Sequence, residues 1–182
     1  METIQLLGQL LCLFLPAGIA NMMPVFVRSM YKELDVPVDL GLTIANKPLF
    51  GPHKTWRGLI FAVLGGLMTF LLQLFVADLY GLHDWWHISP YSLPLYFGAI
   101  IGAGAIFGDL FKSLFKRRVN IGSGKSWIPF DQIDYVLGSA LAAAFYIDFT
   151  AEMWILIVLI GPLLHIVVNH IAYATRIRKE KW

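Results

Sequence analysis

The sequence predicts an all-α integral membrane protein of about five transmembrane helices, N-terminus outside and C-terminus cytoplasmic, and three observations carry that prediction. Of its 182 residues, 58% are hydrophobic and only 14% charged, outside the range of an ordinary soluble domain. Five apolar segments are separated by polar stretches, and a membrane helix needs roughly 20 such residues. All 14 Lys and Arg residues fall in three places, alternating with connections that have none. At this length a single membrane-embedded domain, residues 1–182, accounts for the chain. A net charge of +2 is too small to suggest a nucleic-acid partner. The one cysteine, Cys12, lies in an apolar run and cannot build a disulfide framework or a multi-cysteine metal site.

The first apolar segment covers residues 4–30. It has Glu2 where a signal peptide has a basic region, lacks a small-x-small cleavage site and runs too long, so it reads as a retained span. The others cover residues 58–77, 91–110, 133–149 and 153–174. In the third, Gly98, Gly102, Gly104 and Gly108 form two overlapping small-xxx-small patterns, which predict close helix contact. The basic connections, residues 28–57, 112–125 and 176–181, face the cytoplasm by the positive-inside rule. The loop DLYGLHDWWHISPYSLP, with Asp78, Asp84 and a tryptophan pair, faces outward, as does the connection with Asp148 and Glu152.

Charge gathers in one stretch of this apolar chain: GDLFKSLFKRRVNIGSGKSWIPFDQID, residues 108–134, holds three carboxylates and five Lys or Arg. If the third helix continues past Gly108, Asp109, Lys112, Ser113, Lys116 and Arg117 form one polar stripe. Juxtamembrane cations also fix topology and attract anionic membrane lipids, which accounts for Arg118 but not for Asp109. In IGSGKSW, Gly122 and Gly124 beside Lys125 suit backbone contact with phosphate, although the segment is no Walker motif and a plain glycine turn is the alternative. Pro129 suits a helix start; Asp131 and Asp134 then share a face at the mouth of the fourth span, with capping as the alternative role for Asp131.

Ionised groups at the edge of a bilayer core are costly unless paired or bound to metal. Asp109, Asp131 and Asp134, ringed by cations, therefore predict an oxygen-rich, cytoplasm-facing site for Mg²⁺ and a polyphosphate clamped by Lys and Arg. The first basic loop adds Asp35, Asp39, Asn46, Lys47, His53, Lys54, Thr55 and Arg57. Lys54 and Arg57 stand where the second helix begins and its N-terminal amides favour an anion; a topology-setting role is the alternative. His53 has no partner at metal-ligand spacing. Asn21, His165 and Asn169 are polar groups within spans and so functional candidates, though His165 and Asn169, four apart, equally suit a helix–helix hydrogen bond.

FGPHKTWRG (residues 50–58), GDLFKSLFKRR (108–118) and PFDQID (129–134), in this order on a five-span plan, resemble the CDP-archaeol synthases, membrane-embedded CTP-dependent cytidylyltransferases. The likeness extends to PAGIANMMP in the first span, to HIVVNHIAY in the last and to the basic tail ending in Trp182. The related phosphatidate cytidylyltransferases differ: Leu114 follows Ser113 where their pattern has SFKR, and IPFDQID lacks their double glycine. The resemblance implies CMP transfer from CTP to 2,3-di-O-geranylgeranylglycerol 1-phosphate, with phosphatidic acid as the alternative acceptor. It implies Asp109, Asp131 and Asp134 as Mg²⁺ ligands that act with Lys112 and Lys116 in catalysis. Lys112, Ser113, Lys116, Arg117 and Lys125 become phosphate contacts; Asn46, Phe50, Gly51, Lys54, Thr55, Arg57 and Gly58 become nucleotide contacts. A phosphomonoester, with its second pKa near roughly 6, is largely dianionic at neutral pH and attacks without a dedicated base. The missing Ser/His/Asp arrangement is therefore no obstacle. A small transporter or channel is the rival from another class, and it leaves the one-sided clustering of charge unexplained.

Overall fold

The computed structural model describes residues 3–82 and 89–174, without the side chains of residues 164, 165, 168, 169, 171 and 172. The expectations for Asp84 and the tryptophan pair, for the side chains of His165 and Asn169, and for the C-terminal basic segment with Trp182 lie outside the described residues. Five helices follow in order: α1 (Thr3–Phe26), α2 (Trp56–Leu79), α3 (Phe97–Arg118), α4 (Phe130–Ala143) and α5 (Ala151–Ala174). Of these, α1, α2 and α3 are long and apolar enough to cross a membrane.

The boundaries shift from expectation for local reasons. Helix α1 stops at Phe26, where Arg28 N–H bonds Val25 O in a tighter turn. Helix α3 starts late, at Phe97, just past Pro94, and runs to Arg118 as the polar stripe requires. Helix α4 departs most. It begins three residues before the predicted span and ends at Ala143, where Tyr146 and Ile147 both donate to Ala143 O and close the turn. Its 14 residues measure about 21 Å, shorter than a hydrocarbon core of about 30 Å.

Helix α3 lies at the centre, against α1, α2 and α4, while α5 covers α4 and part of α1. Phe14, Phe97, Ile101, Val136 and Ile157 fill the core; Met68, Leu72, Phe75, Phe107 and Leu159 point outward, as lipid-facing side chains do. The α3 glycines divide between two neighbours. On one face, a Cβ at Gly102 would lie 2.8 Å from Ala62 O, and a Cβ at Gly66 would lie 2.5 Å from Gly98 O. On the other, a Cβ at Gly104 would lie 2.7 Å from Gly138 O, and one at Gly108 would run into the Asp134 carbonyl. Backbone thus touches backbone between α3 and α4, which sets Asp109 beside Asp134. Gln73 of α2 donates to Cys12 O of α1 at 2.6 Å, a polar tie inside the apolar bundle.

The first connection is ordered around a short antiparallel hairpin, β1 (Thr43–Ile44) and β2 (Lys47–Pro48), turned by Ala45 and Asn46 in left-handed conformation. Lys47 Nζ donates to Arg118 O at 3.0 Å, and the Arg118 guanidinium returns to Ile44 O and Pro48 O. The hairpin is thereby fastened to the C-terminal end of α3, where a cation is favoured.

Candidate active site

The C-terminal ends of α1 and α3, the first connection just before α2 and the start of α4 surround a cavity of about 620 Å³. Its walls come from Asn21 of α1, Phe50, His53 and Lys54 of the first connection, the α3 stripe, the loop around Ser123 to Ser126, and Asp131, Gln132 and Asp134 of α4. Lys112 Nζ stands among three carboxylates, 3.2 Å from Asp109, 2.7 Å from Asp131 and 2.5 Å from Asp134. Lys54 Nζ reaches the other Asp109 oxygen at 2.5 Å. Lys116 lies 3.2 Å from Asp131 and also donates to Lys125 O, which ties the glycine loop to α3. Three ammoniums and three carboxylates interleave, so no charge in the set is left alone in a low-dielectric place.

Two cations exceed this balance. Arg117 and Lys125 line the same cavity and, among the described residues, have no ion-pair partner. Arg117 Nε is buried without a hydrogen bond. A wall with that surplus attracts an anion larger than a carboxylate.

The donor chemistry also suits a hard divalent cation, because Mg²⁺ is held by one or two carboxylates with water and phosphate oxygens completing its shell. Asp134 Oδ2 is buried and faces the Lys112 ammonium at 2.5 Å, so its charge is already paired in this arrangement. As they stand, however, no three acidic, imidazole or thiol side chains among the described residues are gathered as ligands of one ion. The Lys112 ammonium holds the point where the carboxylates converge.

The family model of the CarS-like CDP-archaeol synthases matches residues 3–182. The chain belongs to the CDP-archaeol synthase family. It is similar to the CDP-archaeol synthase of Archaeoglobus fulgidus, 35% identical over 80% of this chain and 84% of that protein. The CDP-archaeol synthase of Methanospirillum hungatei is 30% identical over 88% of this chain and its own whole length. A solved structure of an intramembrane enzyme for archaeal membrane lipids biosynthesis matches with a TM-score of 0.69 and 28% identity, covering 88% of this chain and 92% of that one.

The resemblance read from residues 50–58, 108–118 and 129–134 is therefore borne out, and those CDP-archaeol synthase segments supply Lys54, the α3 stripe and the α4 carboxylates. Asp109, Asp131, Asp134, Lys112, Ser113, Lys116, Arg117 and Lys125 all meet in one cavity. The seven residues expected against the nucleotide do not stay together. Phe50 and Lys54 line the cavity; Asn46 sits in the hairpin turn. Thr55 caps α2 by accepting the Gly58 N–H at 3.4 Å, while a Cβ at Gly58 would lie 3.2 Å from Pro24, so Gly58 lets α1 approach. Arg57 turns away altogether: its buried guanidinium donates to Asp35 at 2.8 Å and to Met30 O at 3.1 Å, so it braces the loop instead of joining Lys54.

Gln132, Ser123 and Ser126 line the cavity without having been singled out in the sequence. Serines in a polar loop and a glutamine in the first turn of a helix carry no signal of their own. Asp39 gave a weak one, as an acid in a Pro/Gly-rich loop, and proves to be buried. Its Oδ2 accepts the N–H groups of Phe50 at 2.9 Å and Gly51 at 3.1 Å, and its Oδ1 that of Gly41 at 3.1 Å. Burial pushes the Asp39 carboxyl up, but these three donors outweigh it and hold the group below the usual carboxylate range.

Proposed function

We propose that this chain transfers CMP from CTP to the phosphate of 2,3-bis-O-(geranylgeranyl)-sn-glycerol 1-phosphate, releasing pyrophosphate, at the cytoplasmic face of the cell membrane. The observation that carries the reading is a cavity in which interleaved acids and ammoniums leave Arg117 and Lys125 in surplus, at the bilayer-edge end of apolar helices in a member of this family. An oxygen of the lipid phosphate attacks the α-phosphorus of CTP, and the bond from that phosphorus to the β-bridging oxygen breaks. The work left to the protein is to bring two anions together in line and to neutralise the leaving pyrophosphate.

In this reading Arg117 and Lys125 hold the triphosphate, and Lys116 positions Lys125 through its backbone carbonyl. Lys54 and Lys112 offset the charge of the reacting phosphates. Asp109, Asp131 and Asp134 would hold Mg²⁺, which when bound neutralises phosphate oxygens and orients them. Pro24, Val38, Leu59, Ile106 and Leu110 bring apolar surface up to the Lys54–Asp109 pair, in keeping with an acceptor that has an apolar tail. Among the described residues, the basic connections 28–57 and 112–125 adjoin this end of the bundle, which supports a cavity facing the cell interior.

The test is incubation of purified protein with CTP, Mg²⁺ and either the ether or the ester lipid phosphate. Preferred formation of the CDP-diether lipid is expected. Equal or better use of phosphatidic acid would overturn the acceptor assignment, and no CDP-lipid with either would overturn the transfer itself.

A further inference from the structure

The first connection enters the site through Lys54, and a continuous series of contacts leads from Lys54 back to a buried acid outside the cavity. Val38 N–H bonds Lys54 O at 2.7 Å and Trp56 N–H bonds Val36 O at 2.9 Å, so the two ends of the loop pair as a short antiparallel ribbon. Between them, residues 39–51 must close on themselves. Asp39 makes that closure: one carboxylate oxygen takes the N–H groups of both Phe50 and Gly51. The Gly51 carbonyl then accepts the Lys54 N–H at 3.2 Å, and Lys54 Nζ reaches Asp109. Gly51 has a φ of +103°, a conformation that favours glycine, so the peptide facing Asp39 is set by a turn that depends on being held. Asp39 does not itself line the cavity: it reaches the wall formed by Phe50, His53 and Lys54 only through the backbone amides of Phe50 and Gly51.

We infer that Asp39 is a positioning residue that sets Lys54 against Asp109 through the Gly51 peptide. A buried carboxylate with three backbone donors is a rigid anchor, because without it the buried Gly51 N–H would be left unsatisfied and the half-buried Phe50 N–H would lose its partner. The anchor fixes where the Phe50–Lys54 segment stands, and the four-carbon Lys54 side chain has its reach defined from there. The catalytic consequence rests on the function proposed above; the placement of Lys54 does not.

The test reads that placement without requiring turnover. Purified protein is treated with an amine-acylating reagent, and the labelling rate of each lysine is followed by mass spectrometry. In Asp39→Ala, Lys54 is expected to label at least about fivefold faster than in the parent, with Lys112 unchanged, as local opening without global opening requires. Asp39→Asn keeps an acceptor oxygen for Phe50 and Gly51 and should return Lys54 to within about twofold of the parent rate. In CMP transfer, Asp39→Ala should lower kcat about tenfold with the KM for CTP little changed, yet alter a Lys54→Ala background less than about twofold. An unchanged Lys54 labelling rate, or all lysines faster alike, would overturn the inference. Absence of CMP transfer in the parent would count against the proposed function alone.

Discussion

Replacing Asp109 by Asn separates charge from shape at the centre of the site. The carboxylate lies between two ammoniums, with Lys54 at 2.5 Å and Lys112 at 3.2 Å, and an amide of the same size satisfies one of them while turning its NH₂ toward the other. A unit pair near 4 Å is worth about 4 kcal/mol at an effective dielectric of about 20, so two such attractions are lost or halved. Part of that loss is recovered, because Lys112 still has Asp131 at 2.7 Å and Asp134 at 2.5 Å. Lys54 has no second acid partner among the described residues and loses the most. The fold should survive, since the α3–α4 contact depends on glycine backbone and not on this side chain. Transfer should fall at least about a hundredfold, or ~2.7 kcal/mol in the barrier, because a neutral amide neither holds Mg²⁺ as a carboxylate does nor keeps Lys54 in place. The assay is CMP transfer from labelled CTP, with thermal unfolding in detergent as the control. Transfer within about threefold of the parent, in a protein of unchanged stability, would refute this reasoning.

The other predictions concern how the site is held. Arg57→Ala leaves Asp35 and Met30 O without their partner; thermal stability should fall by about 1–3 kcal/mol while the surviving enzyme keeps its KM for CTP, whereas a KM increase with stability intact would return Arg57 to the nucleotide. Gly138→Ala places a methyl where the Gly104 carbonyl lies, so α3 and α4 must part; stability should drop by about 1–3 kcal/mol and transfer with it, and a neutral outcome would mean the two helices are not in backbone contact. Asp39 is held below its ordinary pKa, so its contribution to stability is complete above about pH 4 and is lost as pH falls below that. The stability gap between parent and Asp39→Asn should therefore narrow on acidification through that window; a gap independent of pH would contradict it.

Much of the site was legible because the chain is so apolar. Against that background Asp109 and Asp134 could not be idle, and helical spacing alone placed Asp109, Lys112, Ser113, Lys116 and Arg117 on one face. The glycines of α3 announced close packing, but their partners are Gly66, half of a Gly-Gly pair in α2, and Gly138, alone in α4, and only the fold says which helix meets which face. Helix α4 was drawn too long because its apolar run continues past Ala143, and composition cannot see a turn closed by ordinary residues. The first connection was the least legible. Arg57 and Lys54, three apart at a helix start, promised one anion site, yet Arg57 is claimed by Asp35, twenty-two residues earlier. Loop partners are chosen by chain closure, which no periodicity records.

The most direct measurement follows each phosphorus of CTP. Purified protein in lipid, with Mg²⁺ and the diether glycerol phosphate, is given CTP labelled at the α-phosphorus or at the γ-phosphorus. The account predicts that the α label enters the lipid phase and the γ label appears in pyrophosphate, each only when both lipid and metal are present. A γ label in the lipid, or release of pyrophosphate that does not need the lipid, would contradict it.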